Sequence, residues 1–326
     1  MLRAAIYGLG RWGSTLVDSV KDSEKFRFVK GISRNPGNHK EFSQKTGIKV
    51  VSSYGRVLKD REIDAVVLAT PHSLHLKQIA QAAKAGKHVF VEKPMTLTRK
   101  TAEKAVEACR AAGVTLGIGL NRRYAPAFVE MMRRIRAGEI GDVLHIEAAH
   151  SGATGYRLSA DSWRSTREEA PAGGMTARGI HTLDSMIQIA GLVTSVYAFS
   201  DKRKHPPEIT MDDTTSMLLK FASGATGYLS TIFVTGELWR LHVFGSKGWM
   251  ESRGDTDLTV RGLEGAPTRV PLETMSKEKA ELEAFADGVG AKTPFLVPPA
   301  EAVNGVAVLE AIVTSAAKGK PVVIKS

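Results

Sequence analysis

Two residues of the sequence, Lys93 and His181, have side chains that could move protons to and from a small substrate. An imidazole titrates near neutral pH, so His181 could act as a general base on a hydroxyl group. Lys93 follows an apolar run, and a partly buried lysine can either relay a proton or keep its charge and orient a hydroxyl. Taken alone, Lys93 could equally be a surface lysine after a strand, and a lone histidine is more often structural. The motifs around them decide between these interpretations.

The first apolar run ends in a glycine turn with the spacing of a dinucleotide-binding loop, Gly8-Leu9-Gly10-Arg11-Trp12-Gly13. A predicted strand precedes this turn and a predicted helix follows it. In that context Gly8 can form the tight turn, Gly10 can admit a pyrophosphate against bare backbone, and Gly13 can let helix and strand pack closely. The helix would offer free N–H groups and its positive dipole end to the pyrophosphate. We therefore predict that these six residues bind a dinucleotide.

The end of the second predicted strand favours NADP over NAD. An NAD enzyme usually has an acidic residue at this point to bind the ribose 2′-hydroxyl, and none occurs here in Gly31-Ile32-Ser33-Arg34-Asn35. Ser33 could donate a hydrogen bond to a 2′-phosphate, and Arg34 could pair with it. Alternatively, Arg34 is a solvated cation that stacks on adenine in an enzyme that accepts both cofactors. NAD therefore stays possible.

The order of apolar runs predicts an α/β chain of two domains. Up to residue 122, β-branched runs alternate with amphipathic helical stretches, which is typical of a Rossmann domain with a doubly wound parallel sheet. Its strands are predicted over 3–8, 26–33, 65–69, 88–92 and 115–120. From 123 to 326 short alternating runs predict a C-terminal α+β domain with an open, mostly antiparallel sheet for substrate binding and oligomerisation. Two helices are expected near its end.

Composition narrows the functional classes. The 326 residues are 43% hydrophobic and 24% charged, as in a folded globular protein. The net charge of +11 is scattered and aromatic residues are only 6%, so nucleic-acid binding is disfavoured and anionic small molecules are favoured. The apolar runs are strand-sized, which predicts no membrane partner. One cysteine and the lack of a signal-peptide pattern point to the cytoplasm.

Two further motifs complete a family resemblance. One begins at Thr70-Pro71-His72-Ser73-Leu74-His75, and the other is Glu92-Lys93-Pro94. With the glycine loop, they resemble the Gfo/Idh/MocA family, named after glucose-fructose oxidoreductase and inositol dehydrogenase, over essentially the whole chain. The resemblance implies that Lys93 lies beside the nicotinamide ribose and the substrate. It also implies that the cofactor is lined by Thr70, Pro71, His75 and Glu92.

His72 and His75 are predicted to start a helix and pack near the cofactor rather than to bind a metal, since no third ligand lies near them in the sequence. No metal site is predicted.

The same resemblance extends to a run in the second domain, Gly173-Gly174-Met175-Thr176-Ala177-Arg178-Gly179-Ile180-His181-Thr182-Leu183-Asp184. His181 matches the catalytic histidine of the family and Asp184 a later acid. Ala177 stands where the family has an earlier acid, so the carboxylate that helps the histidine and lysine accept a proton is missing. Asp184 follows His181 by one helical turn and could orient its ring, bind the substrate or cap a helix.

Two more groups are expected beside the substrate. The segment Asn121-Arg122-Arg123-Tyr124 resembles the family segment that reaches cofactor and substrate, which makes Asn121, Arg122 and Tyr124 candidates. Trp163 and Arg164 resemble a substrate-side loop, where an indole could stack on a ring and a guanidinium could hold a carboxylate or hydroxyl. Trp163 could instead be ordinary core and Arg164 a surface cation.

Three functions remain open. The first is a dehydrogenase or reductase that transfers hydride between NADP(H), or NAD(H), and a CH–OH carbon of a small sugar-like, cyclic or acidic substrate. The second is a lyase or hydrolase that keeps its nucleotide and uses transient oxidation. The third is a non-catalytic nucleotide-binding protein, suggested by Ala177. The family resemblance also implies a homodimer or homotetramer.

Overall fold

The computed structural model describes residues 1–291 and 297–325, and these form two compact units. The first unit contains the described residues of Met1–Thr96, Lys100–Asn121 and Ser276–Pro299. The second contains those of Leu97–Arg99, Arg122–Met275 and Ala300–Ser326.

Helices and strands alternate up to residue 190, and a run of strands follows from residue 193 to residue 270. The α-helices in the described residues are α1 (Arg11–Ser19), α2 (Lys40–Thr46), α3 (Tyr54–Leu58), α4 (His75–Lys84), α5 (Arg99–Ala111), α6 (Pro126–Arg136), α7 (Ile180–Ala190), α8 (Lys277–Ala291) and α9 (Pro299–Lys318). The strands are β1 (Leu2–Tyr7), β2 (Phe26–Ile32), β3 (Lys49–Val51), β4 (Ala65–Leu68), β5 (His88–Glu92), β6 (Leu116–Gly119), β7 (Val143–Ser151), β8 (Val193–Asp201), β9 (Thr214–Phe221), β10 (Thr226–Ile232), β11 (Leu238–Gly245), β12 (Gly248–Arg253), β13 (Asp257–Gly262), β14 (Thr268–Val270) and β15 (Val322–Val323).

The first unit contains a six-stranded parallel sheet in the order β3-β2-β1-β4-β5-β6. All four residues of β4 are buried, as expected for a central strand covered on both faces. The strand order reverses between β1 and β4, and open α/β sheets bind ligands outside the carboxyl ends of the strands at such a point. The predicted doubly wound domain is confirmed.

Five strands of this sheet lie within one residue of their predicted ends, but the edge strand β3 was not predicted. It has three residues, Lys49–Val51, which pair with Lys30, Gly31 and Ile32 of β2. A run of three residues is too short to show a hydrophobic period. The pairing with β2 therefore makes it a strand.

α8 belongs to the first unit, whereas all of 123–326 was predicted to form the second domain. Its Phe285 packs edge-on against Phe90 of β5, with ring centroids 5.6 Å apart. Ser23, just after α1, donates a hydrogen bond to Glu283 at 2.7 Å. The predicted change near residue 122 coincides with a boundary between the units, but the chain later returns to the first unit.

The second unit contains a nine-stranded sheet in the order β14-β13-β12-β11-β7-β10-β9-β8-β15. Its pairings are antiparallel except that between β7 and β10, so the predicted open, mostly antiparallel sheet is confirmed. Alternate residues of the strands face α6, α7 and α9 in one hydrophobic core. The opposite face exposes large apolar side chains that include Phe199, Leu218 and Tyr228.

α9 is the one helix of the described residues that is long and apolar enough to cross a membrane by length and composition. Over 18 apolar residues of this helix, 56% are buried inside the protein, as in the core helix of a globular domain. Two polar side chains of α9 bind β8: Asn304 exchanges two hydrogen bonds with the backbone of Val193, at 2.9 and 3.0 Å, and Ser315 Oγ accepts one from Ala198 N at 3.0 Å.

We expect Asn304→Ala to lower the free energy of unfolding by about 1–3 kcal/mol, because it leaves the backbone N–H and C=O of Val193 buried without partners. Urea denaturation measures the change. Thr314→Ala is the control, since Thr314 lies on the same helix and its hydroxyl donates only to Glu310 O. Equal losses in the two variants would contradict the expected role of Asn304.

Candidate functional site

The glycine loop after β1 has the close contacts that a dinucleotide-binding turn requires. Gly8 has φ +103°, and an added Cβ would lie 2.3 Å from Ala69 O. At Gly13 an added Cβ would lie 2.0 Å from Gly8 O, so α1 approaches the turn more closely than a side chain allows. Around Gly10 an added Cβ would meet nothing within 4 Å. The loop therefore packs tightly at Gly8 and Gly13 and leaves open space beside Gly10.

The start of α1 is suited to a phosphate group. Its N-cap residue, Gly10, has an extended backbone with no capping side chain, and no acidic residue lies in the first turn. The first bond from the loop into the helix runs from Ser14 N to Gly10 O at 3.0 Å. The preceding N–H groups of the helix have no acceptor within it. Together with the open space at Gly10, this start of a helix fits the pyrophosphate of a dinucleotide.

The end of β2 carries the two residues predicted to read the ribose. The Ser33 hydroxyl accepts a hydrogen bond from Asn35 N at 3.3 Å, which leaves its own hydrogen available. Arg34 is exposed, and we find no hydrogen-bond or ionic partner for it in residues 1–291 and 297–325. Leu9 is buried and lies against Gly31, whereas Arg11 is exposed. The guanidinium of Arg34 is thus available to a ligand.

His75 joins the two further motifs of the first unit. Its side chain is fully buried, with Nδ1 3.1 Å from Pro94 O and Nε2 3.0 Å from Thr70 O. His72, which follows Pro71 in a short 3₁₀ turn, packs edge-on against it, and the Thr70 hydroxyl donates to Gln78 at 2.6 Å. His75 therefore holds the loop after β4 against the segment that contains Lys93.

Glu92 is a buried acid at the end of β5, with 6% of its surface exposed. Its Oε2 accepts a hydrogen bond from Lys93 N at 3.3 Å, whereas its Oε1 has no partner among the described residues. Burial raises the pKa of Glu92 to about 7, and the charge of Lys93 opposes that rise. The indole N–H of Trp12 also lowers this pKa, although the pair does not meet ordinary hydrogen-bond geometry.

His181 lies in the first turn of α7 in the second unit and is 8% exposed. A segment of π-helix, Met175–Gly179, leads directly into this turn. π-helical segments are rare in proteins, and those that occur are frequently found at functional sites. Asp184 lies one turn further along the same helix and is also buried.

Asp184 is bound by an arginine that was not among the predicted site residues. Both of its oxygens accept hydrogen bonds from Arg123, at 2.8 and 2.6 Å, and Arg123 also donates to Glu301 at 2.6 Å. Burial raises the pKa of Asp184 and the charge of Arg123 opposes the rise. In the sequence nothing indicates which arginine of Arg122-Arg123 turns inward.

The π-helical segment is held by Arg178, the neighbour of Ala177. Arg178 donates to Glu237 at 2.6 Å, to Ser151 O at 2.9 Å and to Thr154 at 2.6 Å. Ala177 packs against a small apolar cluster that contains Ala170, Ile209, Met211 and Phe233. At the position of the missing family acid, Ala177 therefore contacts apolar side chains. The next residue, Arg178, is held in place by its hydrogen bonds.

The other predicted residues lie in different places. Asn121, in the first unit, donates to Glu278 at 2.8 Å. In the second unit, Arg122 bonds Asp255 and stacks on Trp239, with 4.5 Å from its Cζ to the ring centroid. Tyr124 is half-buried at the end of the same 3₁₀ turn.

Trp163 and Arg164 contact each other in the second unit. The Cζ of Arg164 lies 3.9 Å from the centroid of the Trp163 ring. Trp163 is half-buried and Arg164 is exposed. In the part of the chain that the structure describes, no three His, Cys, Asp or Glu side chains are grouped to hold a metal ion.

We expect Arg123→Met to lower the free energy of unfolding by about 3–5 kcal/mol, because it leaves the buried carboxylate of Asp184 without its counterion. Adding Asp184→Asn should restore part of this loss, which a double-mutant cycle in urea measures. Arg133→Met is the matched control: its guanidinium pairs with Glu130 at the surface, where such a pair contributes about 0–1 kcal/mol. Similar losses for both arginines would contradict the buried pair's importance.

Comparison with known proteins identifies the family. Residues 2–120 match the model of the oxidoreductase family with an NAD-binding Rossmann fold, GFO_IDH_MocA, and residues 128–251 match the GFO/IDH/MocA C-terminal domain. An uncharacterized oxidoreductase of Bacillus subtilis, YrbE, is 31% identical over 259 residues, which cover 74% of this chain and 71% of that protein.

The scyllo-inositol 2-dehydrogenase (NAD(+)) of B. subtilis is 37% identical over 149 residues, 44% of this chain and 43% of that protein. An uncharacterized oxidoreductase of Streptococcus pneumoniae is 30% identical over 59% of this chain and 51% of its own length. The chain thus matches about half the length of these two relatives. Among solved structures, the aldose-aldose oxidoreductase of Caulobacter crescentus has a TM-score of 0.91 at 26% identity and covers 99% of both chains. With both family models matched and most of YrbE covered, the chain belongs to the Gfo/Idh/MocA family of oxidoreductases.

Proposed function

We propose that this protein transfers hydride reversibly between NADP(H) and the hydroxyl or carbonyl carbon of a small sugar-like, cyclic or acidic molecule. The observation that carries the proposal is the uncapped start of α1 beside the open space at Gly10, which fits a pyrophosphate. The nicotinamide of the bound cofactor would accept or supply the hydride. The residues of the chain would bind the two reactants and move the hydroxyl proton.

NADP is the preferred cofactor in this proposal because Arg34 is exposed and has no partner among the described residues. A guanidinium pairs strongly with a phosphate, whereas a carboxylate at this position would repel it. The name of the B. subtilis relative specifies NAD, so the preference is proposed for this chain on its own residues.

Lys93 and His181 are the groups proposed to move the proton. His181 is 8% exposed at the start of α7, in an environment where an imidazole can act as a general base without bulk water. Because Ala177 replaces the family acid, no carboxylate at that position assists it. Asp184 already accepts two hydrogen bonds from Arg123, so we propose that it positions α7 rather than binds substrate.

A small polyhydroxylated substrate is supported by the names of two relatives, which specify scyllo-inositol and aldoses. Arg164, stacked on Trp163, is a candidate to hold an acidic or hydroxyl group. The face of Trp163 that Arg164 covers is then not available to a sugar ring, so the guanidinium rather than that face would contact the substrate.

The remaining expectations stay predictions. They are a location in the cytoplasm, a small-molecule partner rather than nucleic acid or membrane, and a homodimer or homotetramer. The exposed apolar residues on the outer face of the second sheet, such as Phe199, Leu218 and Tyr228, are compatible with pairing of two copies. Sedimentation velocity over a range of concentrations measures the assembly, and a species of 35.1 kDa throughout would contradict the expectation.

We expect the protein to bind NADPH more tightly than NADH, and Arg34→Ala to weaken NADPH binding about tenfold or more while leaving NADH binding unchanged. Titration of nucleotide fluorescence measures both affinities. Arg27→Ala is the matched control, because Arg27 is an exposed arginine of β2 and lies before the turn. Equal affinities in the wild type would make Arg34 a bystander, and no binding of either nucleotide would contradict the proposed function.

On a panel of polyols, sugar acids and cyclic alcohols, we expect net NADP(H) turnover that falls by roughly 10²–10⁴ in kcat for His181→Gln and Lys93→Met. The absorbance of the reduced nicotinamide measures the turnover, and nucleotide binding by each variant checks that it is folded. His145→Gln on β7 is the control. Substrate conversion without net cofactor turnover would indicate the lyase or hydrolase alternative, and nucleotide binding without any conversion would indicate a non-catalytic protein.

A further inference from the structure

Gln78 is a buried glutamine of α4 to which the proposed function gives no role. It is 6% exposed, although glutamine side chains lie mostly at protein surfaces. Burying an amide costs free energy unless the amide forms hydrogen bonds. The hydrogen-bond partners of Gln78 therefore indicate what this side chain does.

Gln78 and His75 hold two polar groups of Thr70. The Thr70 hydroxyl donates a hydrogen bond to Gln78 Oε1 at 2.6 Å, and the Thr70 carbonyl oxygen lies 3.0 Å from His75 Nε2. Residues three apart on a helix share a face, so one face of α4 holds both groups. Thr70 is itself buried. Its hydroxyl is therefore oriented by α4 and not by solvent.

α4 is in turn bound to Tyr54 at the start of α3. Tyr54 Oη donates a hydrogen bond to the backbone carbonyl of Gln78 at 3.0 Å, and the Tyr54 ring packs on Tyr7 with centroids 5.1 Å apart. Burial raises the pKa of Tyr54, so its hydroxyl keeps the hydrogen that it donates. Tyr7 is the last residue of β1. Gln78 thus joins Thr70 to the strand that precedes the glycine loop.

Thr70 lies where an open α/β sheet binds a dinucleotide. Its backbone N would be 3.1 Å from a Cβ added at Gly8, and the preceding residue, Ala69, donates to Tyr7 O at 2.8 Å. Thr70 follows β4 and Arg34 follows β2, and these two strands lie on opposite sides of β1. A dinucleotide extends across the crevice at this point of the sheet. With its adenosine at Arg34, its nicotinamide half would lie at Thr70.

The hydrogen bond to Gln78 determines what Thr70 can offer to a ligand. A threonine hydroxyl has one hydrogen and two lone pairs, whereas an amide oxygen only accepts. Because its hydrogen goes to Gln78 Oε1, the Thr70 oxygen can only accept a hydrogen bond from a ligand. Pyrophosphate oxygens are acceptors too, but a ribose hydroxyl can donate. Thr70 is therefore matched to a ribose hydroxyl rather than to a phosphate.

We propose that Gln78 is a positioning residue for the cofactor: it holds the Thr70 hydroxyl as an acceptor for a hydroxyl of the nicotinamide ribose. This role rests on the proposed function, in which the chain binds a dinucleotide. The carboxamide of the nicotinamide is a second donor in the same half. The ribose fits better, because Thr70 adjoins the loop that would hold the pyrophosphate and the ribose is attached directly to that group.

Nucleotide titrations of Gln78→Met test this role, since methionine has a similar shape and lacks the amide oxygen. We expect NADPH and NADH to bind about threefold to tenfold more weakly, by the same factor, because both contain the nicotinamide ribose. The affinity for 2′,5′-ADP, which lacks that ribose, should stay at the wild-type value. Gln81→Met is the matched control, because Gln81 is an exposed glutamine of the same helix, and it should leave all three affinities unchanged.

A double-mutant cycle measures whether Gln78 acts through Thr70. Thr70→Val removes the hydroxyl with little change in shape and should weaken NADPH at least as much as Gln78→Met does. In the Thr70→Val background, Gln78→Met should have no further effect. Additive losses would overturn the proposal. Equal losses of NADPH and 2′,5′-ADP in Gln78→Met would also overturn it, because they would indicate a general distortion of the unit.

The 3-acetylpyridine analogue of NADPH separates the ribose from the carboxamide. The analogue keeps the ribose but has a methyl ketone, which has no N–H group, in place of the carboxamide. Gln78→Met should weaken it by the same factor as NADPH, measured by displacement of NADPH. An affinity for the analogue that does not respond to the substitution would overturn the assignment to the ribose.

Proton NMR of the wild-type protein with labelled threonine observes the hydrogen bond directly and stays decisive where a variant does not fold. The Thr70 hydroxyl proton should exchange slowly with water and show a nuclear Overhauser effect to the Gln78 side chain, both before and after NADPH is added. A proton that exchanges rapidly, or that turns from Gln78 to the nucleotide on binding, would overturn the role of Gln78.

Failure of this role and failure of the proposed function give different results. If the wild type binds neither NADPH nor NADH, the proposed function is overturned and the role of Gln78 with it. If the wild type binds both and Gln78→Met leaves their affinities unchanged, the role of Gln78 alone is overturned.

Discussion

The close approach of α1 to the turn after β1 is the constraint on which the cofactor-binding unit depends. Only a residue without a side chain can occupy position 13, because an added Cβ would lie 2.0 Å from Gly8 O. This contact aims the free N–H groups of α1 at the space beside Gly10. Position 8 is constrained as well, by its positive φ and by Ala69 O. The loop is therefore suited to bind a phosphate through backbone N–H groups rather than through side chains.

Buried charge is handled differently in the two units. In the second, the carboxylate of Asp184 is matched by Arg123, and the ion pair lies one helical turn after His181. In the first, three oxygens of Glu92 and Glu281 have no hydrogen-bond partner among the described residues. Burial raises the pKa of both acids, and the charge of Glu92 raises that of Glu281 further. In the second unit the permanent charge of Arg123 fixes the helix that carries Asp184, whereas in the first unit the charge of a buried carboxyl changes with pH.

The elements that were predicted well are those with strong local signals. β4 is a continuous apolar run, and β5 has three consecutive apolar residues between His88 and Glu92. α4 ends before Gly86, where φ is positive. β3 was missed because three residues carry no period, and only pairing with β2 makes them a strand. α8 was predicted as a helix but assigned to the second domain, since its position late in the chain says nothing about which sheet it covers.

The amino-acid sequence by itself determined the two sheet types, the glycine turn and the family motifs around Lys93 and His181, because these depend on local periodicity and on backbone freedom at particular glycines. The tertiary structure alone decided which charges meet. Arg123 reaches Asp184 and Glu301 from a distant segment of the chain. Glu281 likewise experiences the charge of Glu92, which is far from it in the sequence. Such pairings follow from the packing of helices on sheets, in which residues distant in sequence are buried together and must neutralise one another.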